Sequence, residues 1–324
     1  MLNEEKMVAN VKKIINECCK VKKGEKVAII TDTKQSPKIY MALFDEAKNS
    51  GAEPIVIIMK PISPGGELPF LVNMAIRNAD LLITPTSTSV YHSKGIRDAC
   101  LGNKARLLAL SECDEKTLVE GGINADFLNI SYLAKRIGKY FDKGDVVKLL
   151  TPAGTDLVAK IDGRKGYVNT GLCHEPKQMV GLPTIEVFIA PIEKSVNGTI
   201  VVDASCSGGV GIINEPIYLT VTNGRVVSID GKKEAAILKG LLEKANNENA
   251  YQVAEIAVGL NPNCRITGKI VEDEGKYGTC HVALGNNLAF GGKSNAPLHI
   301  DMVQWKPTLL IDDIKIFEEG EKMI

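Results

Sequence analysis

The sequence predicts an α/β protein of two domains: a Rossmann-like, mostly parallel-sheet domain over residues 1–145, and a β-rich α+β domain over residues 146–324. Three observations predict this. The first half alternates short, continuously apolar runs with helical patterns, as strands covered on both faces of a parallel sheet do. From Val146 the texture changes to short β segments punctuated by glycine, such as DLVAKI, EVFIAPI and GTIVVDAS. And 324 residues exceed the ~250 at which single cores usually stop growing.

The chain opens on a helix over roughly Glu4–Val21, and Gly24 leads into the β-rich run GEKVAIITD. PKIYMALFDEAKNSG has helical spacing and ends on Gly51, which suits the position just past a helix, before the buried-type strand EPIVIIM. LPFLVNMAIRNAD and LLITPTS repeat the pair, ARLLAL adds a strand, and a helix around Ile130–Phe141 closes this half. No GxGxxG follows the first strand and no GxxxxGK[ST] occurs, so neither a dinucleotide nor a triphosphate site is expected. His92, in STSVYHSKG, falls where doubly wound sheets place ligand loops, but an ordinary loop histidine is the stronger reading.

In the second half, VTNGRV signals a hairpin, because Asn223-Gly224 supplies the positive φ angles of a type I′ turn. One helix is evident, roughly Lys232–Ala245. The turn-rich stretch GLCHEPKQMVGLP, 171–183, carries His174, either a cleft residue that meets substrate or a surface histidine.

Composition narrows the function. Lysine plus arginine and aspartate plus glutamate number 39 each, so no global field favours nucleic acid. The start MLNEEKMVANVKK lacks a signal's apolar run, and no stretch approaches the ~20 apolar residues of a membrane span, so the expected location is the cytoplasm. Eight cysteines without a CxxC pair read as reduced, mostly buried thiols, with Cys280, beside His281, the one that could line a site.

The chain has four histidines, and two of them lie in GTCHVALGNNLAFGGKSNAPLHIDMV, 278–303. His299 and Asp301 are two apart in an alternating strand pattern, which turns both side chains to one face, where an imidazole nitrogen and a carboxylate can share a metal ion. His281 lies in a second apolar segment bounded by Gly278, a residue that permits close backbone approach. Glu186 interrupts LPTIEVFIAP and Glu255 interrupts VAEIAVGLNP, and a glutamate buried among apolar neighbours must be paired, protonated or bound to a cation. A salt bridge or an edge position explains either acid alone; together with the two histidines and Asp301 they point to a shared divalent cation, Zn²⁺, Mn²⁺, Co²⁺ or Fe²⁺ by ligand type. Asn286, Asn287 and Ser294, in the glycine-rich loop between the ligands, are candidates to line a substrate pocket, although turn chemistry accounts for them equally.

In this order LPTIEVFIAP, SVNGTIVVD, AEIAVGLNP, GTCHVALG and HIDMV resemble the aminopeptidase T family of metallopeptidases over most of the second domain. The resemblance implies a dimeric, two-domain hydrolase that releases N-terminal residues from small peptides. Its metal-binding domain would hold Zn²⁺, or Co²⁺ or Mn²⁺, on residues matching Glu186, Glu255, His281, His299 and Asp301, with Glu255 and Glu186 as the catalytic acids. Two positions depart from the family pattern. Leu288 stands where family peptidases carry a tyrosine, and Lys276 where they carry an acid, with Glu274 two residues upstream. The chain is also similar to 2,5-dihydroxypyridine 5,6-dioxygenase, which implies an Fe²⁺ alternative on His299, Asp301 and His281.

Overall fold

The structure is a computed structural model that describes residues 2–63, 66–91 and 93–324; His92 lies outside the described residues. The chain divides into two compact units, Met1–Ser131 with Thr170–Pro183, and Tyr132–Asn169 with Thr184–Ile324.

The first unit is the expected α/β alternation. Helix α1 (Leu2–Lys13) runs into a π-helical turn, Ile14–Cys18, rather than continuing as regular helix to Val21. Then come β1 (Lys26–Asp32), α2 (Pro37–Asn49), β2 (Glu53–Met59), α3 (Phe70–Ile76), β3 (Leu81–Thr84), α4 (Lys94–Arg97) and β4 (Arg106–Ala109). The central strands β1, β3 and β4 are buried along nearly their whole length, which is why their sequences read as unbroken apolar runs rather than as alternation.

The chain crosses between the units three times, not once at residue 146. Helix α5 (Phe127–Lys143) carries it over to β5 (Val146–Leu150), β6 (Asp156–Lys160) and β7 (Gly166–Asn169), and it returns as β8 (Met179–Gly181). Two contacts explain the difference. From Tyr132 on, α5 lies against β7: a Cβ on Gly138 would sit 2.5 Å from Val168 Cγ2, and one on Gly166 would sit 2.7 Å from Phe141 Cβ. Conversely, β8 pairs in parallel with β4, Leu108 opposite Val180, and so covers a strand edge that would otherwise be bare. The first sheet has the order β2-β1-β3-β4-β8.

The second unit is β-rich. It continues through β9 (Glu186–Ile189), β10 (Asn197–Val202), β11 (Ser205–Cys206), β12 (Gly211–Ile212), β13 (Ile217–Thr222) and β14 (Arg225–Asp230). Helix α6 (Lys233–Lys244), β15 (Val253–Gly259), α7 (Ile270–Asp273), β16 (Thr279–Gly285) and β17 (His299–Trp305) follow, and β18 (Thr308–Ile311), β19 (Ile314–Glu318) and β20 (Glu321–Lys322) end the chain. Asn223 and Gly224, both at positive φ, close the β13–β14 hairpin as expected. The strands form an eight-stranded sheet, β14-β13-β10-β6-β5-β18-β19-β20, and a seven-stranded sheet, β12-β11-β17-β16-β15-β9-β7. No helix among the described residues is long and apolar enough to cross a membrane.

Candidate metal centre

Register in the seven-stranded sheet builds the site. Directly opposed residues of antiparallel neighbours share a face. One row runs Asn169, Glu186, Gly259; the next runs Tyr167, Phe188, Ala257, His281, Val303. A third holds Glu255, Ala283 and Asp301, and His299 lies opposite Gly285. Five donors from four strands therefore point from one sheet face, and the positions between them are alanine or glycine, which leaves space above the sheet. The same alternation turns Cys280 to the opposite face, where burial pushes its thiol far above the ordinary range, so it does not line the site. All eight cysteines are buried.

The donors meet. His281 Nε2 is 3.4 Å from Glu186 Oε2 and 3.4 Å from Glu255 Oε1. His299 Nε2 is 3.3 Å from Glu255 Oε2 and 3.1 Å from Asp301 Oδ1. Each oxygen of Glu255 thus faces a different histidine. A β-bulge between Val253 and Glu255 adjoins this residue and leaves the carbonyl of Ala254 to accept a bond from Asn287 Nδ2, at 3.2 Å.

Glu274 joins the cluster with His281 and Asp301, which resolves the acid missing at Lys276. It comes from the turn after α7, and two glycines admit that turn. A Cβ on Gly259 would lie 2.4 Å from the Lys276 carbonyl oxygen and 2.7 Å from that of Glu274; one on Gly275 would lie 2.9 Å from Thr184 Cα. Thr184 Oγ1 then stands 3.0 Å from Glu274 Oε1. Gly259→Ala is expected to push the turn away, costing about 1–3 kcal/mol in overpacking and lowering activity more than stability alone explains. Thermal melts beside metal-loaded kinetics check this; activity that tracks only the folded fraction would contradict it.

Supporting contacts orient the donors. His299 Nδ1 is 2.8 Å from the Asn286 carbonyl oxygen, so it donates there and leaves Nε2 facing the acids. Asn169 bonds the Glu186 carboxyl. Ser207 Oγ accepts from the Asp301 N–H at 2.8 Å. Neither Asn169 nor Ser207 carries a sequence signal of its own; only tertiary contacts reveal them, as they do Gly259 and Thr184.

Of the expected pocket residues, Asn286 braces His299, and Asn287 is buried, its Oδ1 accepting from the Ser294 N–H at 2.8 Å. Both are occupied as loop fasteners, and Ser294 is buried beside them, its hydroxyl without a hydrogen-bond partner among the described residues. His174 belongs to the first unit, where its Nε2 is 2.8 Å from the Glu17 carbonyl oxygen.

Electrostatics mark the cluster as short of positive charge. Burial, then the charge of Glu255, holds Glu186 well above the usual carboxylate range, and burial with the charge of Glu186 does the same to Glu274. Burial also pushes Glu255 upward, but His281 and His299 outweigh it and leave its carboxyl lowered. Burial pulls both histidines down; the carboxylates around them, Glu255 first for His281 and Asp301 first for His299, reverse this and raise both.

The donors fit divalent cations. Four carboxylates and two imidazoles fall into three overlapping sets, Glu186–Glu255–His281, Glu255–His299–Asp301 and Glu274–His281–Asp301, each with its ligand atoms within 4.8 Å of one another. Glu186 Oε2 is buried with no hydrogen-bond partner among the described residues, the condition a bound cation would relieve.

Comparisons with known proteins bear out both resemblances. The chain is 26% identical over 183 residues to 2,5-dihydroxypyridine 5,6-dioxygenase of Pseudomonas putida, covering 52% of this chain and 51% of that protein. It is 31% identical over 150 residues to aminopeptidase AmpS of Bacillus subtilis, covering 43% of this chain and 35% of that protein. The matches thus span about half and about a third of these relatives' lengths. Among solved structures, the Pseudomonas putida KT2440 dioxygenase superposes with a TM-score of 0.87 at 19% identity, covering 99% of this chain and 97% of that one. AmpT from Thermus thermophilus superposes with a TM-score of 0.76 at 15% identity, covering 99% of each. Both share this fold. The family model described as NicX, 2,5-dihydroxypyridine 5,6-dioxygenase, matches residues 6–323, and the chain belongs to that family.

Proposed function

We propose that the protein is a metal-dependent hydrolase that removes the N-terminal residue from small peptides. The observation that carries this is Glu255, whose two oxygens each face a different histidine, as a carboxylate shared by two cation positions would. Glu186 and His281 complete one position, His299 and Asp301 the other, and two divalent cations balance the four carboxylates. Bound there, Zn²⁺, Co²⁺ or Mn²⁺ supplies Lewis acidity toward a peptide carbonyl and makes water acidic enough to attack near neutral pH.

The protein's own residues do the rest. The expected catalytic acids Glu255 and Glu186 are both engaged as ligands in this reading, and the proton falls to Glu274. Its carboxyl, held beside Thr184 Oγ1, takes the proton from the attacking water and returns it to the leaving amine. Asn286 and Ser207 hold His299 and Asp301 in place. Burial of His281, Glu255 and Asp301 keeps bulk water from the reacting centre.

The test is hydrolysis of aminoacyl anilides and dipeptides by protein loaded with each metal, with Glu274→Gln beside the wild type. Glu274→Gln is expected to lower kcat by about 10²–10⁴-fold while cation content holds. Wild-type protein that binds cations but cleaves none of these substrates sinks the reading.

The family match over residues 6–323 favours a second reading, opening of a hydroxypyridine ring with O₂ at a single Fe²⁺ on His281, His299 and Asp301. Oxygen uptake with dihydroxypyridines and freshly reduced, iron-loaded protein would support it.

A further inference from the structure

Three aromatic side chains stand beside the donors on the same sheet face. Tyr167 and Phe188 are cross-strand partners on β7 and β9, their ring centroids 5.5 Å apart and their planes 17° from parallel. Phe290, from the loop between His281 and His299, meets Phe188 edge-on at 5.4 Å and Tyr167 at 6.2 Å. Its ring centroid is also 5.8 Å from that of His299, the planes 87° apart. Phe188 lies two residues from the ligand Glu186, and Ala257, its partner on β15, presents only a methyl group between Phe188 and His281. An aromatic wall therefore adjoins the donors across a floor of small residues.

An ordinary core cluster would look different in two respects. Core rings are covered, whereas Tyr167 and Phe188 are only half-buried. Phe290, itself buried, links them to His299, whose side chain is 22% exposed against 1% for His281. The loop carrying Phe290 is also fixed from several sides. Arg164 donates to the Gly291 carbonyl, Glu193 accepts from the Lys293 N–H at 2.6 Å, and Asn249 donates to the Asn295 carbonyl at 3.1 Å. Arg164 and Glu193 are themselves paired at 2.6 Å. A half-exposed aromatic surface on a rigid mount beside reactive groups has the form of a specificity pocket.

We propose that Phe188 and Phe290, with Tyr167 stacked behind Phe188, form the subsite that receives the apolar or aromatic side chain of the substrate's N-terminal residue. The proposal rests on the hydrolase reading. It makes the preferred substrate a peptide beginning with a residue such as leucine or phenylalanine, held with its first carbonyl over the donors.

Phe188→Ala and Phe290→Leu, compared with wild type on phenylalanine, leucine and glycine anilides, test it. Wild type is expected to favour phenylalanine and leucine over glycine by about 100-fold or more in kcat/KM. Each variant should cut that ratio at least about tenfold with cations per chain unchanged. A variant that slows all three substrates equally, or leaves the ratio intact, overturns the subsite. If wild type cleaves none of them, the hydrolase reading falls, and the wall is judged by calorimetry with phenylalanine and glycine hydroxamates on zinc-loaded protein. Tighter binding of the phenylalanine compound that Phe188→Ala abolishes supports the wall, and equal binding of the two overturns it.

Discussion

Glu255→Gln is expected to release both cations together and to abolish hydrolysis. Glu255 is the only donor shared by the Glu186–His281 and His299–Asp301 sets, one oxygen toward each histidine. An amide there offers one neutral oxygen and one N–H, so one set faces a donor where it needs an acceptor. Affinity should fall by more than the roughly 10–100-fold typical of losing a residue that merely orients a ligand. Elemental analysis of protein purified without chelator reads this directly. About two zinc, cobalt or manganese ions per wild-type chain, reduced to almost none in Glu255→Gln and to about one in Glu186→Gln, is the expected pattern. One iron retained without Glu255 but lost in His299→Ala would instead support the ring-opening oxygenase.

The second large effect is on stability. Chelation should leave a protein that becomes less stable as pH rises from about 5 to 8, whereas the loaded protein should gain from added cation increasingly over the same range. The sign follows from the protons held. Glu186 and Glu274 sit well above the usual 4.5, so the folded, cation-free protein keeps protons that the unfolded chain releases, and it loses stability as pH rises through their folded values. His281 and His299, raised above 6.5, act in the same direction: their contribution is complete below the unfolded value and is lost as pH rises. Glu255, lowered, opposes this only toward acid, where its contribution is lost as pH falls through its folded value. Cations displace the retained protons, so their binding strengthens as pH rises. At a thousandfold excess over Kd, a cation should add about 4 kcal/mol. Thermal melts at pH 5.5 and 8, with chelator and with zinc, measure both slopes. A cation-free protein more stable at pH 8 would contradict the cluster's charge balance.

Much of the site is legible along the chain. Glu186 and Glu255 betray themselves by interrupting apolar runs, and both prove buried. His299 and Asp301 share a face because strand alternation puts residues two apart on the same side, and the Asn223-Gly224 hairpin forms where its dihedral demands place it. Position in sequence says less in other places. His174, set in a turn-rich loop, shows neither a cleft nor a surface role in sequence, and its ring meets the Glu17 carbonyl. Asn286, Asn287 and Ser294 fall between donors in sequence, and the two asparagines help hold the loop together, as turn chemistry allowed. Cys280 adjoins His281 in sequence and points the other way.

By itself the sequence determined the α/β and β-rich halves, the turn chemistry and five of the six donors, because each depends on local periodicity or on one residue's misfit with its neighbours. Only the tertiary structure decided that α5 and the segment 170–183 exchange sides, that Glu274 enters over Gly259 and Gly275, and that Glu255 faces two histidines at once. Those facts depend on strand register and on which backbones can approach within a missing Cβ. Both are set by pairings between residues tens of positions apart, such as Glu186 with Gly259, and leave no periodic trace in either segment alone.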